Sequence, residues 1–302
     1  MDLEKEILRL KKEKGALILA HLYQRPEVQE IADIVGDSYF LSKKAVESDA
    51  KLIVFCGVKF MAESAKILSP NKKVLLPANK STCPMADMAL VERVKELKDK
   101  HPDALVVSYI NTNIDVKSIS DVCVTSSSAM KIMKNIKEKD IIFVPDRNLG
   151  SYINEFFPEK NFILYNGFCP THERVCKEDI LPLMKDYPDY EVLAHPECNK
   201  EVRSVAHFIG STSEIIDYSA ASSKKGFIVV TEEGVLHQMK KKSPNKEFIT
   251  LKAGMICPNM KMTTLEEVYT CLLNEENEII LDEDQRIKAL SALEKMHLLG
   301  DD

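Results

Sequence analysis

The chain has 302 residues, of which 45% are apolar and 29% charged, and its 41 basic and 47 acidic side chains leave a formal net charge of -6. These values are typical of a globular protein and exclude disordered, collagen-like and coiled-coil classes, and the mild acidity predicts no nucleic-acid partner. No apolar run approaches the roughly 18 residues of a membrane span, and the charged N-terminal stretch does not resemble a signal peptide. We therefore expect a cytoplasmic protein with no membrane association, in which the eight cysteines do not form disulfides.

Short apolar runs separated by helix-length segments occur in three successive blocks. After a charged helical stretch at 2–14, the runs of the first block lie at 16–23, 51–55 and 73–76. The runs of the later blocks lie at 104–111, 140–144 and 161–165, and at 191–197, 226–230 and 247–251. Such continuous Val, Ile and Leu runs are typical of strands buried on both faces, so each block predicts a small parallel sheet with helices. A C-terminal amphipathic helix is predicted at 284–299.

Polar landmarks recur in the same frame as these runs. The dipeptide Cys-Pro begins at Cys83, Cys169 and Cys257, with spacings of 86 and 88 residues. The first runs end near His21, Tyr109 and His195, then two residues later come Tyr23, Asn111 and Glu197, and a hydroxyl follows each first landmark by 17 residues at Ser38, Ser126 and Thr212. Generic α/β chains do not repeat all three landmarks, so the pattern predicts an internal triplication. The predicted units are 15–100, 101–187 and 188–262, followed by a helical segment at 263–302 that we expect to pack on the N-terminal helix.

The three cysteines point to one metal centre. Ligands of parallel sheets bind at the carboxyl ends of the strands. If three units pack around a pseudo-threefold axis, Cys83, Cys169 and Cys257 converge there. Zinc sites usually show closely spaced cysteine pairs, which the chain does not have. A four-iron four-sulfur cluster held by three cysteines keeps an open iron that acts as a Lewis acid, as a dehydratase requires. The other five cysteines are predicted to be core residues, with a further role left open for Cys198 and Cys56.

The remaining landmarks predict an anionic substrate and acid-base chemistry. Ser38 and Thr212 precede helical stretches, where a hydroxyl either binds an anion or simply caps the helix. His195 and Glu197, like His21 and Tyr23, are two residues apart at the end of a predicted strand and are candidates for acid-base chemistry. His172 follows Cys169 by three residues, so we expect it either to lie near the metal or to cap the following helix.

Several strings are specific enough to indicate a family. They are AHLYQRPEVQEIADIVGDSYFLSKKA, FCGVKFMAESAKIL, TCPMADM, YINTN, DVCVTSSSA, PDRNLG, FCPTHE, LAHPEC, GST at 210–212, and CPNMKMTTL. From about residue 15 to residue 265 the chain resembles the quinolinate synthase family of NAD biosynthesis. The resemblance implies three α/β/α units around a pseudo-threefold axis with the active site at the centre, and one four-iron four-sulfur cluster on Cys83, Cys169 and Cys257. It implies a transferase that condenses iminoaspartate with dihydroxyacetone phosphate, releasing phosphate and two waters.

The resemblance also implies roles for individual residues. Substrate-binding and catalytic positions of the family match His21, Ser38, Tyr109, Asn111, Ser126, His172, His195, Glu197 and Thr212. Tyr23 matches a tyrosine of proton transfer, Ser211 is expected to help Thr212 hold the phosphate, and His195 with Glu197 is expected to shuttle protons. Functional coupling to the enzyme that supplies iminoaspartate is a further expectation. From the residues alone, two alternatives remain: another cluster-dependent hydro-lyase acting on a small dicarboxylate, and a non-catalytic metal-sensing protein.

Overall fold

Three four-stranded parallel sheets form the core of the chain, whose residues 2–300 are described by a computed structural model. The strands are β1 Ala16–His21, β2 Ile34–Gly36, β3 Leu52–Cys56, β4 Lys73–Leu75, β5 Leu105–Tyr109, β6 Val122–Val124, β7 Asp140–Val144, β8 Asn161–Leu164, β9 Glu191–Ala194, β10 Phe208–Ile209, β11 Gly226–Val230 and β12 Glu247–Ile249. The sheets share one strand order, β2-β1-β3-β4, β6-β5-β7-β8 and β10-β9-β11-β12. The prediction of an α/β protein with three similar units is confirmed.

Helices separate the strands and cover the sheets. They are α1 Leu3–Lys14, α2 Pro26–Ile31, α3 Ser38–Glu47, α4 Lys59–Leu68, α5 Pro84–Met88, α6 Val91–Lys100, α7 Ile114–Lys117, α8 Ala129–Asn135, α9 Arg147–Asn154, α10 Pro170–Glu173, α11 Lys177–Asp186, α12 Lys200–Arg203, α13 Thr212–Ala221, α14 Val235–Lys242, α15 Leu265–Asn274 and α16 Glu283–Gly300, with a 3-10 turn at Met260–Met262. None of those in residues 2–300 is long and apolar enough to cross a membrane.

Each sheet has one strand more than the apolar runs predict. The additional strands β2, β6 and β10 contain two or three residues, too few to give a recognisable run. Each is held by the residue just before it, whose backbone N–H bonds to the neighbouring strand and whose side chain accepts an N–H from that strand. The side-chain bonds are Ile18 N to Asp33 (2.8 Å), Val106 N to Asp121 (2.8 Å) and Val192 N to His207 (3.0 Å). The triplication therefore extends to these local contacts.

Segments outside the repeats pack on two different surfaces. Helix α1 contacts α15, where Ile7 and Leu10 share a buried cluster with Val268 and Leu272. Helix α16 instead lies against α4, α7, α8 and β6 of the first two units. Its buried face contains Ala289, Ala292, Leu293 and Met296, the spacing of an amphipathic helix. Both segments leave the carboxyl ends of the strands accessible to the loops that form the site.

Candidate active site

The three loops that carry the Cys-Pro cysteines, at 81–84, 167–170 and 255–258, are tied to the sheets in the same way. In each unit, the backbone N–H three residues after β3, β7 or β11 donates to the carbonyl two residues before the cysteine. These bonds are Lys59 to Ser81 (2.8 Å), Arg147 to Gly167 (2.9 Å) and Glu233 to Met255 (2.9 Å). Cys83, Cys169 and Cys257 are thereby held at equivalent places.

One cavity of about 690 Å³ of empty space lies where the three cysteine loops meet the strand ends. Its polar and cysteine lining comprises His21, Tyr23, Asp37, Ser38, Thr82, Cys83, Tyr109, Asn111, Thr125, Ser126, Ser127, Cys169, Thr171, His172, His195, Glu197, Thr212, Glu232 and Cys257. All three units contribute to this set. A concave site with several convergent polar groups is suited to a small-molecule ligand.

Burial disfavours the thiolate form of the three cysteines in the cavity. Burial raises the pKa of Cys83 to about 12, and it also raises the pKa of Cys169 and Cys257. The negative charge of Glu197 adds to the rise at Cys169. A thiolate in this environment needs a cation to offset the loss of hydration, which is what a metal centre provides.

Glu197 contacts polar side chains of two units in the cavity. Tyr109 donates its phenol O–H to Oε1 at 2.7 Å, and His172 Nδ1 lies 2.9 Å from Oε2. His195 Nδ1 lies 3.8 Å from the same oxygen. Cys169 Sγ, His172 Nδ1 and Glu197 form the one group of three possible metal-ligand atoms, within residues 2–300, that all lie inside 4.8 Å of one another.

A chain of hydrogen bonds continues from His172 across the cavity. His172 Nε2 and the Thr231 hydroxyl are 3.0 Å apart, and Thr231 shares a 2.9 Å hydrogen bond with the Tyr23 phenol. The same phenol also bonds to the Thr212 hydroxyl at 2.9 Å. Tyr109, Glu197, His172, Thr231, Tyr23 and Thr212 therefore form one continuous polar network built from all three units.

Two histidines have matching local structure. Strands β1 and β9 end at or before His21 and His195, and the chain then turns. The N–H of Tyr23 donates to His21 Nδ1 at 3.1 Å, and the N–H of Glu197 donates to His195 Nδ1 at 3.3 Å. Both members of each pair line the one cavity. Because Nδ1 accepts, the proton of each neutral ring lies on Nε2.

Glu197 carries a negative charge in the cavity. Burial alone would raise the pKa of Glu197, but the facing His195 and His172 and the two hydrogen bonds lower it well below its usual range. Burial lowers the pKa of His195 to about 4 and that of His21 to about 3. Burial raises the pKa of Tyr23 well above its usual value. At neutral pH Glu197 is therefore ionised, the His195 and His21 imidazoles are neutral, and the Tyr23 phenol is protonated.

Comparison with known proteins gives the family of the chain. The family model described as quinolinate synthetase A protein matches residues 5–298. The chain belongs to the quinolinate synthetase A family. It is 59% identical to the quinolinate synthase of Clostridium perfringens strain 13, covering 99% of this chain and 100% of the relative. It is 56% identical to that of Clostridium acetobutylicum, with 99% of both covered, and 53% identical to that of a Sulfurihydrogenibium species, with 98% and 97% covered.

Membership of the quinolinate synthetase A family agrees with where the chain places the predicted residues. Every predicted site residue except Ser211 lines the cavity. Ser211 caps α13 instead: its hydroxyl accepts the N–H of Glu214 and its own N–H donates to the Glu214 carboxylate. Asp37 caps α3 in the same way. Ser38 and Thr212 stand one residue beyond these caps, so their hydroxyls remain available to the cavity.

The two cysteines for which a further role was left open lie in the core. Cys198 is fully buried and its thiol faces the carbonyl of Val230, and Cys56 is buried at the end of β3 in the first sheet. Neither lines the cavity. Their burial raises the pKa of both thiols, as expected for inert core cysteines.

Among the polar residues that were not predicted, three lie just after the strands that lead to the cavity. Thr231 and Glu232 directly follow β11, and Asp146 follows β7 at the place equivalent to Glu232. Glu232 accepts the N–H of Cys257 at 3.1 Å and pairs with Lys261 at 2.9 Å. Asp146 is fully buried, and its burial raises its pKa well above the usual value. Their position just after a strand at the ligand-binding edge was the signal that could have identified them.

Proposed function

We propose that the chain catalyses quinolinate formation by condensing iminoaspartate with dihydroxyacetone phosphate, with release of phosphate and two waters. The observation that carries the proposal is the convergence of Cys83, Cys169 and Cys257 on one cavity with a continuous acid-base network. The family and the names of the relatives support the same reaction. Because a free imine hydrolyses in water, we also propose functional coupling to the enzyme that supplies iminoaspartate.

The donor set fits a four-iron four-sulfur cluster on these three cysteines. All three cysteines line the same cavity. Structural zinc prefers four protein ligands, whereas a four-iron four-sulfur cluster held by three cysteines keeps one iron open. When bound, the cluster supplies an open iron as a Lewis acid for a substrate oxygen or nitrogen.

Tyr23 is proposed to exchange a proton with the substrate through the polar network. Ionised Glu197 only accepts hydrogen bonds, so His172 donates from Nδ1 and its Nε2 accepts from Thr231. The Thr231 oxygen then accepts from the Tyr23 phenol. A proton that leaves Tyr23 passes through Thr231 to His172, where Glu197 stabilises the imidazolium, and the reverse transfer makes Tyr23 an acid. Dehydration and ring closure require such an acid and base in turn.

Substrate anions are proposed to bind at the hydroxyl-lined side of the cavity. Ser38 and Thr212 open helices α3 and α13, whose N-termini carry positive partial charge and free N–H groups. The Nε2–H groups of His21 and His195 add neutral donors. Asn111 provides a different contact, because its side-chain oxygen is buried without a partner in residues 2–300 and can accept an N–H or O–H of the substrate. Such an orphaned buried polar atom is expected to be satisfied by a ligand.

The deciding experiment is anaerobic purification followed by spectroscopy and an assay. We expect a brown protein with iron-sulfur absorbance that converts the two substrates to quinolinate and releases phosphate in equal amounts. A colourless protein without iron would refute the cluster. A brown protein that forms no quinolinate would refute the proposed reaction and favour another cluster-dependent hydro-lyase.

A further inference from the structure

Three buried polar side chains occupy equivalent places just after the strands that lead into the cavity. They are Gln29, Lys117 and Arg203, separated by 88 and 86 residues, as the three units are. Their exposed fractions are 3%, 0% and 5%. Each lies in the short helix, α2, α7 or α12, that follows the segment carrying the first site residues of its unit. We call these segments, residues 21–24, 109–112 and 195–198, the anchor loops.

Each of the three side chains donates to backbone carbonyls of its own anchor loop. Gln29 donates to Leu22 at 3.0 Å and to Gln24 at 2.9 Å. Lys117 donates to Ile110 at 2.8 Å and to Thr112, and Arg203 donates to Cys198 at 2.6 Å. The carbonyls of Gln24, Thr112 and Cys198 are themselves equivalent in the repeat. The same bond is therefore made three times with an amide, an ammonium and a guanidinium.

Each side chain also reaches the preceding unit in a cyclic order. Gln29 of the first unit donates to the carbonyl of Gly234 at 3.0 Å, beside α14 of the third unit. Arg203 of the third unit donates to the carbonyl of Asn148 at 3.2 Å in α9 of the second unit. Lys117 of the second unit stacks over the Phe60 ring of α4 in the first unit, at 5.4 Å from its centroid.

Arg203 has the most direct link to the acid-base network. Its guanidinium holds the carbonyls of Cys198 and Asn148, and the Asn148 side chain donates to the carbonyl of Glu197 at 3.1 Å. The Glu197 carboxylate in turn contacts Tyr109 and His172, the two donors of the acid-base network. A displaced anchor loop would therefore move the Glu197 carboxylate away from its two donors.

Stability alone does not account for these residues. A buried cation costs hydration energy, and well-packed apolar residues usually stabilise a core at least as well. Arg203 also donates to the Ser151 hydroxyl at 3.0 Å and to the Glu155 carboxylate at 3.2 Å, both in the second unit. A side chain that bonds both to the carbonyls of its own anchor loop and to the preceding unit specifies where that loop lies. We propose that Gln29, Lys117 and Arg203 are positioning residues that hold the three anchor loops, and with them the site residues, against the preceding unit. The inference rests on the proposed function of the cavity.

The test compares Arg203→Met and Arg203→Lys with a matched lysine variant in cluster-loaded protein. Lys160 donates to the carbonyls of Ile136 and Glu138 at 2.7 and 2.9 Å, just past the end of α8 and away from the cavity. Lys160→Met thus removes similar bonds without touching an anchor loop. Turnover, KM, iron content, melting temperature and hydrogen exchange of the peptide 195–203 are measured for each.

We expect Arg203→Met to lower kcat about 10- to 100-fold, as a small misplacement of a catalytic group does, with KM changed much less and iron retained. Exchange of peptide 195–203 should accelerate. Arg203→Lys should recover most of the rate, because Lys117 performs the same task in the second unit. Lys160→Met should lower the melting temperature and leave kcat unchanged.

Two outcomes would overturn the inference. One is an Arg203→Met protein with kcat within about twofold of wild type and unchanged exchange. The other is an equal loss of kcat in Lys160→Met. If Arg203→Met does not fold, Gln29→Leu provides the same comparison at the first anchor loop, with peptide 21–29 as the exchange reporter. Wild-type protein that forms no quinolinate refutes the proposed function, whereas the exchange comparison still tests the positioning role.

Discussion

Replacing Thr231 with valine removes one hydroxyl from the middle of the polar network and keeps the volume of the side chain. The hydroxyl contacts the Tyr23 phenol at 2.9 Å and His172 Nε2 at 3.0 Å. Tyr23 retains its bond to Thr212, but His172 Nε2 loses its partner, which costs about 1–3 kcal/mol of stability for a buried polar group. The proton path between Tyr23 and His172 is broken.

We expect Thr231→Val to lower kcat about 100-fold, within the range of general acid-base contributions, with little change in KM. Quinolinate formation by cluster-loaded protein is the assay, with iron content measured on the same sample. Thr263→Val is the matched control, because the Thr263 hydroxyl is buried and has no hydrogen-bond partner in residues 2–300. That control should keep full activity and equal or higher stability. A Thr231→Val enzyme with more than about half of the wild-type kcat would refute the relay.

Three further predictions follow from the same site. Cys83→Ala should lose the iron-sulfur absorbance, whereas Cys271→Ala, a buried cysteine outside the cavity, should keep it; equal absorbance in both would contradict the ligand assignment. Glu197→Gln should retain iron and lower kcat about 100-fold or more, because the amide cannot stabilise the His172 imidazolium, and unchanged turnover would exclude Glu197 from proton transfer. His21 has a folded-state pKa of about 3 against an ordinary 6.5, so the unfolded chain binds the extra proton and stability falls as pH decreases through that window. Between pH 7.5 and pH 5, His21 should lower the free energy of unfolding by about 2 kcal/mol. In urea unfolding of the cluster-free protein, the pH dependence of that free energy should therefore be weaker by this amount in His21→Gln than in wild type. An identical pH dependence in both would show that His21 is not buried in its neutral form.

Most of the fold and of the site could be predicted because the sequence repeats. A single apolar run or a single cysteine is ambiguous. Cys83, Cys169 and Cys257, however, recur in one frame with the aligned polar landmarks, and this pattern predicts three similar units that share one site. Edge strands such as β10 escaped prediction because two residues carry no periodic pattern. Ser211 was assigned to the ligand because capping and anion binding use the same residue types at the same place.

Contacts between units were beyond the reach of the sequence. Thr231 joins Tyr23 to His172 because three units meet, and its place just after β11 indicates a site residue without indicating these two partners. The equivalence of Gln29, Lys117 and Arg203 is hidden for a similar reason, since three different side chains perform one task.

The sequence by itself determined the three α/β units, the three convergent cysteines and the family, because periodic burial and spacing are properties of the chain. Only the tertiary structure decided which side chains touch and which protonation states they hold. Glu197 is ionised and His195 neutral because of the burial and the neighbours that each acquires in the folded cavity. Those neighbours come from distant segments, so their distances and electrostatic effects exist only after folding.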